Sequence, residues 1–168
     1  MPTIRNLTIA FVVASGVVLP ACGDDVEPLS KADFITQADA ICAAADAEIT
    51  PILDEAYAAG EEVDFEDPEQ KQALIERFAD AIDEAAPLWS DMASDLRSLA
   101  PPDADKDTID AMIDELDAAL DFVATTSRDA ANGDEQALAV LEDESGDPFS
   151  DANQQARDYG LVECGSEE

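Results

Sequence analysis

A chain of 168 residues with 41 acidic side chains, 8 basic ones and no histidine carries a formal charge of −33. That charge excludes a basic footprint for nucleic acid and argues against docking on anionic lipid by charge alone. The missing imidazole removes Ser-His and Cys-His nucleophile pairs and histidine metal ligands, while 46% apolar residues indicate one folded domain rather than a disordered acidic tail.

The first element is an apolar stretch, Leu7 to Leu19, preceded by the single cation Arg5. It is shorter than the roughly 20 residues a membrane-spanning helix needs and fits the hydrophobic region of a secretory signal. Its end, Leu19-Pro20-Ala21-Cys22-Gly23, resembles the lipobox of bacterial lipoprotein precursors, with Leu three residues before the Cys and a small residue just before it. The resemblance implies cleavage after residue 21, diacylglycerol on Cys22, and residence on the extracytoplasmic face of the cell membrane. Two or more acyl chains hold a protein stably on a bilayer, so the anchor overrides the repulsion of the acidic body. Residues 1–21 are then the signal, 22–29 a short tether broken by Pro28, and 30–168 a single acidic domain.

Assigning Cys22 to lipid leaves Cys42 and Cys164. In an oxidising compartment two leftover cysteines usually pair, and this pair would tie the C-terminal end to the first helix. Free thiols or a redox pair are the alternatives, and the wide spacing argues against a C-x-x-C redox site. The enclosed loop is long, which by chain entropy gives at most about 4–5 kcal/mol.

Helical periodicity runs through the rest. Ser30-Lys31-Ala32-Asp33 reads as a capping box, followed by Phe34, Ala38, Ile41, Ala45, Ile49, Ile52 and Ala56 at steps of three and four, with Pro51 as a kink and Gly60 as the end. Asp67-Pro68 starts a second helix whose stripe is Leu74, Phe78, Ala81, Ala85, Trp89, Met92, Leu96 and Leu99, stopped by Pro101-Pro102. A third follows Asp103 with Ile109, Ile113, Leu116, Leu120 and Val123, ending near Asn132-Gly133. Asp134 opens a short helix, and Asp147-Pro148 opens a last one through Tyr159 to Gly160. The expectation is all-α: an up-down bundle of three long helices plus a shorter C-terminal one, with Tyr57, Phe78, Trp89, Phe122 and Tyr159 at or near the core.

The segments LSKADFITQADAICAAADAEI, LRSLAPPDA and ARDYGLVECG together resemble small all-helical lipoproteins of actinobacterial type, in which a Lys-x-x-Phe helix bears one Cys and a Tyr-Gly-x-x-x-Cys-Gly end bears the other. The resemblance implies that Lys31, Phe34, Cys42, Tyr159, Gly160 and Cys164 are scaffold positions. It carries over no catalytic residue.

The acids form faces. Asp107, Asp110, Asp114, Asp117 and Asp121 make one stripe on the third helix, and Glu76, Asp80, Asp83, Glu84, Asp91 and Asp95 line the second. Such faces are solvated, and like charges at i and i+4 cost a few tenths of a kcal/mol each. Lysine, at Lys31, Lys71 and Lys106 alone, does little to neutralise them. They suit a salty exterior, where screening is short-ranged. A divalent-cation site is the competing idea: Asp103, Asp105, Asp107 and Asp114 echo an EF-hand loop, but Thr108 replaces its glycine, Asp its last Glu, and Ile109 comes one place early. Acids at a helix N-terminus explain the same residues.

No phosphate loop, Gly-x-Ser-x-Gly or metal spacing is present, so the chain reads as a non-enzyme without a cofactor. Its function reads as a lipid-anchored envelope or adaptor module meeting a protein or cationic partner; the alternative is a membrane-tethered receptor for a cation or small solute. A receptor needs a concave pocket with convergent polar groups. The alanine-rich stripes predict close packing and few cavities, favouring the module.

Overall fold

The computed structural model describes residues 27–61, 63–141 and 147–166. Among the described residues there are five helices and no strand: α1 (Lys31–Gly60), α2 (Pro68–Ser98), α3 (Lys106–Ala131), α4 (Glu135–Leu141) and α5 (Ser150–Tyr159). The three long helices and the short α4 stand where the periodicity places them, and α5 ends where expected.

The caps explain the boundaries. The Ser30 hydroxyl accepts the Asp33 amide at 3.2 Å and donates to the Asp33 carboxylate at 2.6 Å, so the box closes on itself. Asp67 accepts from the amides of Glu69 and Gln70 and from the Gln70 side chain, and these bonds hold its carboxyl below the ordinary value. At the far end Gly160 has φ +108°, the left-handed cap that stops α5, and a Cβ there would also meet Ile35 at 3.3 Å. The last helix starts later than expected. Asp147 spends its carboxylate on the Phe149 amide and its carbonyl on the Ser150 amide, making a turn before the first helical residue.

Packing runs α1 on α2, α2 on α3, and α4 and α5 each on α3. The core gathers Phe34, Ala38, Cys42, Ala93, Leu96, Ile109, Met112, Ile113, Ala156, Tyr159 and Leu161. Its largest fully buried side chains, Phe34, Ile109, Ile113 and Leu161, come from α1, α3 and the residue after α5's cap. Leu29, read from sequence as the last tether residue, docks on this core and donates its amide to the Ala100 carbonyl at 2.9 Å. Leu29 therefore belongs to the folded body.

Two aromatic expectations are corrected. Tyr57 is 63% exposed, resting edge-on against Phe78, and Phe122 is 49% exposed. Phe122 lies at the edge of the buried α3 face, between buried Ala119 and Thr126 on one side and exposed Ala118 and Thr125 on the other, so its ring stands half in water. Tyr159 is buried, and Phe78 and Trp89 are half-buried.

The acid stripes face outward, but arginines do more than the lysine positions suggest. Arg97 bridges Asp114 and Asp117, and Arg128 reaches Asp83, so both link α2 to α3. The two carboxylates hold the Arg97 guanidinium above its usual value. These pairs are half-exposed and each contributes at most about 1 kcal/mol.

Candidate functional site

The scaffold residues assemble at one end of the bundle. Cys42 and Cys164 form a disulfide with Cα atoms 5.2 Å apart, closing a sequence separation of 122. Just before it, Asp39 accepts the backbone amides of Val162 and Glu163 at 2.9 and 3.0 Å. Phe34 meets Tyr159 edge-on at 5.9 Å between centroids, and the Lys31 ammonium sits 3.9 Å from the Tyr159 ring centroid. The Tyr159 hydroxyl donates to Asp105 at 2.9 Å; burial first, then this bond to a carboxylate, pushes its pKa up to about 12. Gly165 completes the clasp. A Cβ there would come within 2.8 Å of the Arg157 side chain and about as near its backbone, while its carbonyl accepts from Arg157 at 2.9 Å.

Beyond the disulfide, a cleft of about 440 Å³ opens along α1. Its α1 wall is the single helical face Cys42, Asp46, Ile49, Thr50, Leu53, Asp54 and Tyr57, about 22 Å long at 1.5 Å per residue. The floor is Trp89, Met92 and Leu96 from α2 with Met112, Ile113 and Leu116 from α3. The opposite wall is Phe149, Ala152, Asn153 and Ala156, and the tail residues Glu163, Cys164 and Ser166 close the disulfide end. The cause is geometric. Helix α2 separates α1 from α3, and α5 lies on α3; α5 has only 10 residues against 30 in α1, so it covers only part of the space beside α1.

The cleft is apolar below and acidic at the rim. Leu53, Trp89, Met92 and Leu116 remain partly exposed there, while the carboxylates of Asp46, Asp54 and Glu163 stand in water and, among the described residues, no lysine or arginine lines it. Asp46 accepts from the Thr50 hydroxyl at 3.1 Å. A second depression of about 450 Å³ crosses α1 and α2 alone, over Ala40, Ala44 and Ala45, and lacks a third wall. The cleft contradicts the expectation of few cavities: alanine allows α1 and α2 to approach, but nothing of sufficient length covers α1 on its other side.

The four cation candidates do not converge. Asp105 precedes α3 and is engaged by Tyr159, Asp107 lies in the first turn of α3, and Asp114 pairs with Arg97. Asp107 and Asp114 are separated by about 10 Å of helix axis, beyond the span of one ion's shell. Asp103 is exposed in the preceding turn. Among the described residues no group of three or more Cys, Asp or Glu side chains is arranged to hold a metal. Cys22 and the signal segment lie outside the described residues, and among those described no helix is long and apolar enough to cross a membrane.

The cleft is not announced by any motif. Its one signal in the sequence is the run Asp46, Thr50, Asp54 and Tyr57 on α1, polar or amphipathic residues spaced like a helix face beside a core stripe. Neither protein-family models, nor characterised proteins, nor solved structures match this chain.

Proposed function

We propose that the protein is a lipid-anchored, exported, non-enzymatic receptor for a small solute, held on the extracytoplasmic face of the cell membrane through Cys22. The observation that carries the receptor reading is the cleft of about 440 Å³, a size typical of small-molecule sites, with an apolar floor and a few polar groups at its rim. The anchor rests on the lipobox-like Leu19–Cys22 segment. An up-down order of the long helices suits the short connections after α1 and α2 and the α1–α2 and α2–α3 packing. The body is then a lipoprotein of the small helical type that the Lys31-x-x-Phe34 and Tyr159-Gly160-x-x-x-Cys164-Gly165 motifs resemble.

The adaptor reading has a smaller support, the exposed apolar side chains Phe122, Val140 and Leu141 on α3 and α4. The cleft supports the receptor more strongly because it joins four helices and the tail around one cavity.

Trp89 is the only tryptophan of the chain and lines both the cleft and a smaller depression between α2 and α3, so its fluorescence reports the cleft when a variant that fills the cleft serves as control. Titration of the mature chain with small aromatic solutes should give a saturable Trp89 shift that Asn153→Phe, which fills the cleft from α5, removes. A Trp89 signal insensitive to all of them would overturn the receptor reading.

A further inference from the structure

We infer that the cleft takes an organic ammonium cation: a positively charged nitrogen on an apolar, preferably aromatic, body. This deepens the receptor reading and rests on it.

Apolar side chains and carboxylates also meet in other depressions on the outer faces over α1–α2 and α2–α3, but of these the cleft is the one that joins four helices and the tail. Carboxylates on the rest of those outer faces stand over water and gather small cations only as a screened atmosphere. In the cleft, Asp46 and Asp54 rise one and three turns beyond Cys42 on α1, and Glu163 lies at the disulfide end beside Cys164. Between the two walls lie the partly exposed apolar side chains of Trp89, Met92 and Leu116, which an apolar body would cover. An indole face is also the best aromatic partner for an ammonium group.

The charge balance decides the sign of the ligand. An anion would meet three rim carboxylates, no basic side chain among the described lining residues and a chain of formal charge −33. A neutral solute would use the floor and leave the rim idle. A bare metal ion would use the rim and leave the floor idle, and the described residues place no three acidic or cysteine ligands around one point. An ammonium on an apolar body uses both.

The test compares three probes that share a phenyl ring and differ in head-group charge: 2-phenylethylammonium, 2-phenylethanol and phenylacetate. Each is titrated into the mature chain in phosphatidylcholine nanodiscs at low ionic strength, read by calorimetry and Trp89 fluorescence against empty nanodiscs. The ammonium should bind at least about tenfold more tightly than the alcohol, and phenylacetate more weakly than either. In the variant Asp46→Asn with Asp54→Asn and Glu163→Gln, all exposed positions, the gap should fall below about threefold while the alcohol still binds. In Asn153→Phe both should be lost. Equal affinity for ammonium and alcohol would overturn the inference and leave the receptor reading standing. Ammonium binding that survives Asn153→Phe, or a Trp89 shift produced equally by CaCl2 alone, would overturn it too. A Trp89 signal insensitive to all three probes would remove both.

Discussion

Cys42 on α1 and Cys164 in the tail are joined across a separation of 122 residues, and the bond lies at the closed end of the cleft. One turn before Cys42, Asp39 holds the amides of Val162 and Glu163, so the tail is fixed twice to α1 although α5 itself packs on α3. The disulfide thus adds a covalent bond to the Phe34–Tyr159 contact that already fastens α5 to α1.

Breaking that bond should therefore cost stability. Reductant, or Cys42→Ala with Cys164→Ala, is expected to lower stability by up to about 4 kcal/mol on the chain-entropy account, less the unfolded chain's residual structure. Thermal melts followed by circular dichroism with and without reductant measure it. Equal melting temperatures would mean that Asp39 and the Phe34–Tyr159 contact hold the tail unaided.

The Tyr159 phenol gives a pH dependence of known sign. Unfolded, it titrates near 10.0; folded, burial and the bond to Asp105 keep its proton to about 12. The folded state binds more protons between these values, so this group's contribution is complete below pH 10 and is lost as pH rises toward 12. Chemical denaturation of the native chain and Tyr159→Phe across that range isolates the effect. The native chain should lose stability faster, and parallel curves would contradict the assignment.

The largest single-residue loss should come from the clasp's centre. Phe34, 1% exposed, meets Tyr159 edge-on, and Phe34→Ala removes about 3–5 kcal/mol by lost transfer and cavity formation. Phe122→Ala, at 49% exposure on the α3 edge, should change stability by less than about 0.5 kcal/mol. Urea denaturation of the two variants checks the contrast.

Outward carboxylates at i and i+4 along α3 repel one another, with Arg97 relieving Asp114 and Asp117 and Lys106 relieving Asp110. Added NaCl should raise the melting temperature as screening shortens. CaCl2 at matched ionic strength should add nothing further, because Asp103, Asp105, Asp107 and Asp114 do not share a centre. A melting temperature that falls between low and molar NaCl would contradict the screening argument.

Local chemistry makes the helices legible in the sequence. Ser30 and Asp67 announce their helices because their side-chain oxygens have one good use, the free amides of a first turn. Phe34, Ala38, Ile49 and Ala56 are buried because steps of three and four put them on one face. The ring of Tyr57 escapes that logic: it leans on Phe78 of α2 on one side and lines the cleft on the other, so it stays 63% exposed instead of entering the core. The salt bridges of Arg97 and Arg128 escape because they join positions 17 to 45 residues apart, set by how α2 rests on α3. The cleft escapes for the same reason. It exists because a helix of 10 residues lies across from one of 30, a fact about which helix α5 packs on that periodicity along α5 does not contain.

The most direct measurement is a crystal structure of the chain soaked with 2-phenylethylammonium. The account predicts the ring against Trp89, Met92 and Leu116, with the ammonium within about 4 Å of a carboxylate of Asp46, Asp54 or Glu163. A cleft closed by α5 against α1, or the compound bound only on the outer acidic faces of α2 and α3, would contradict it.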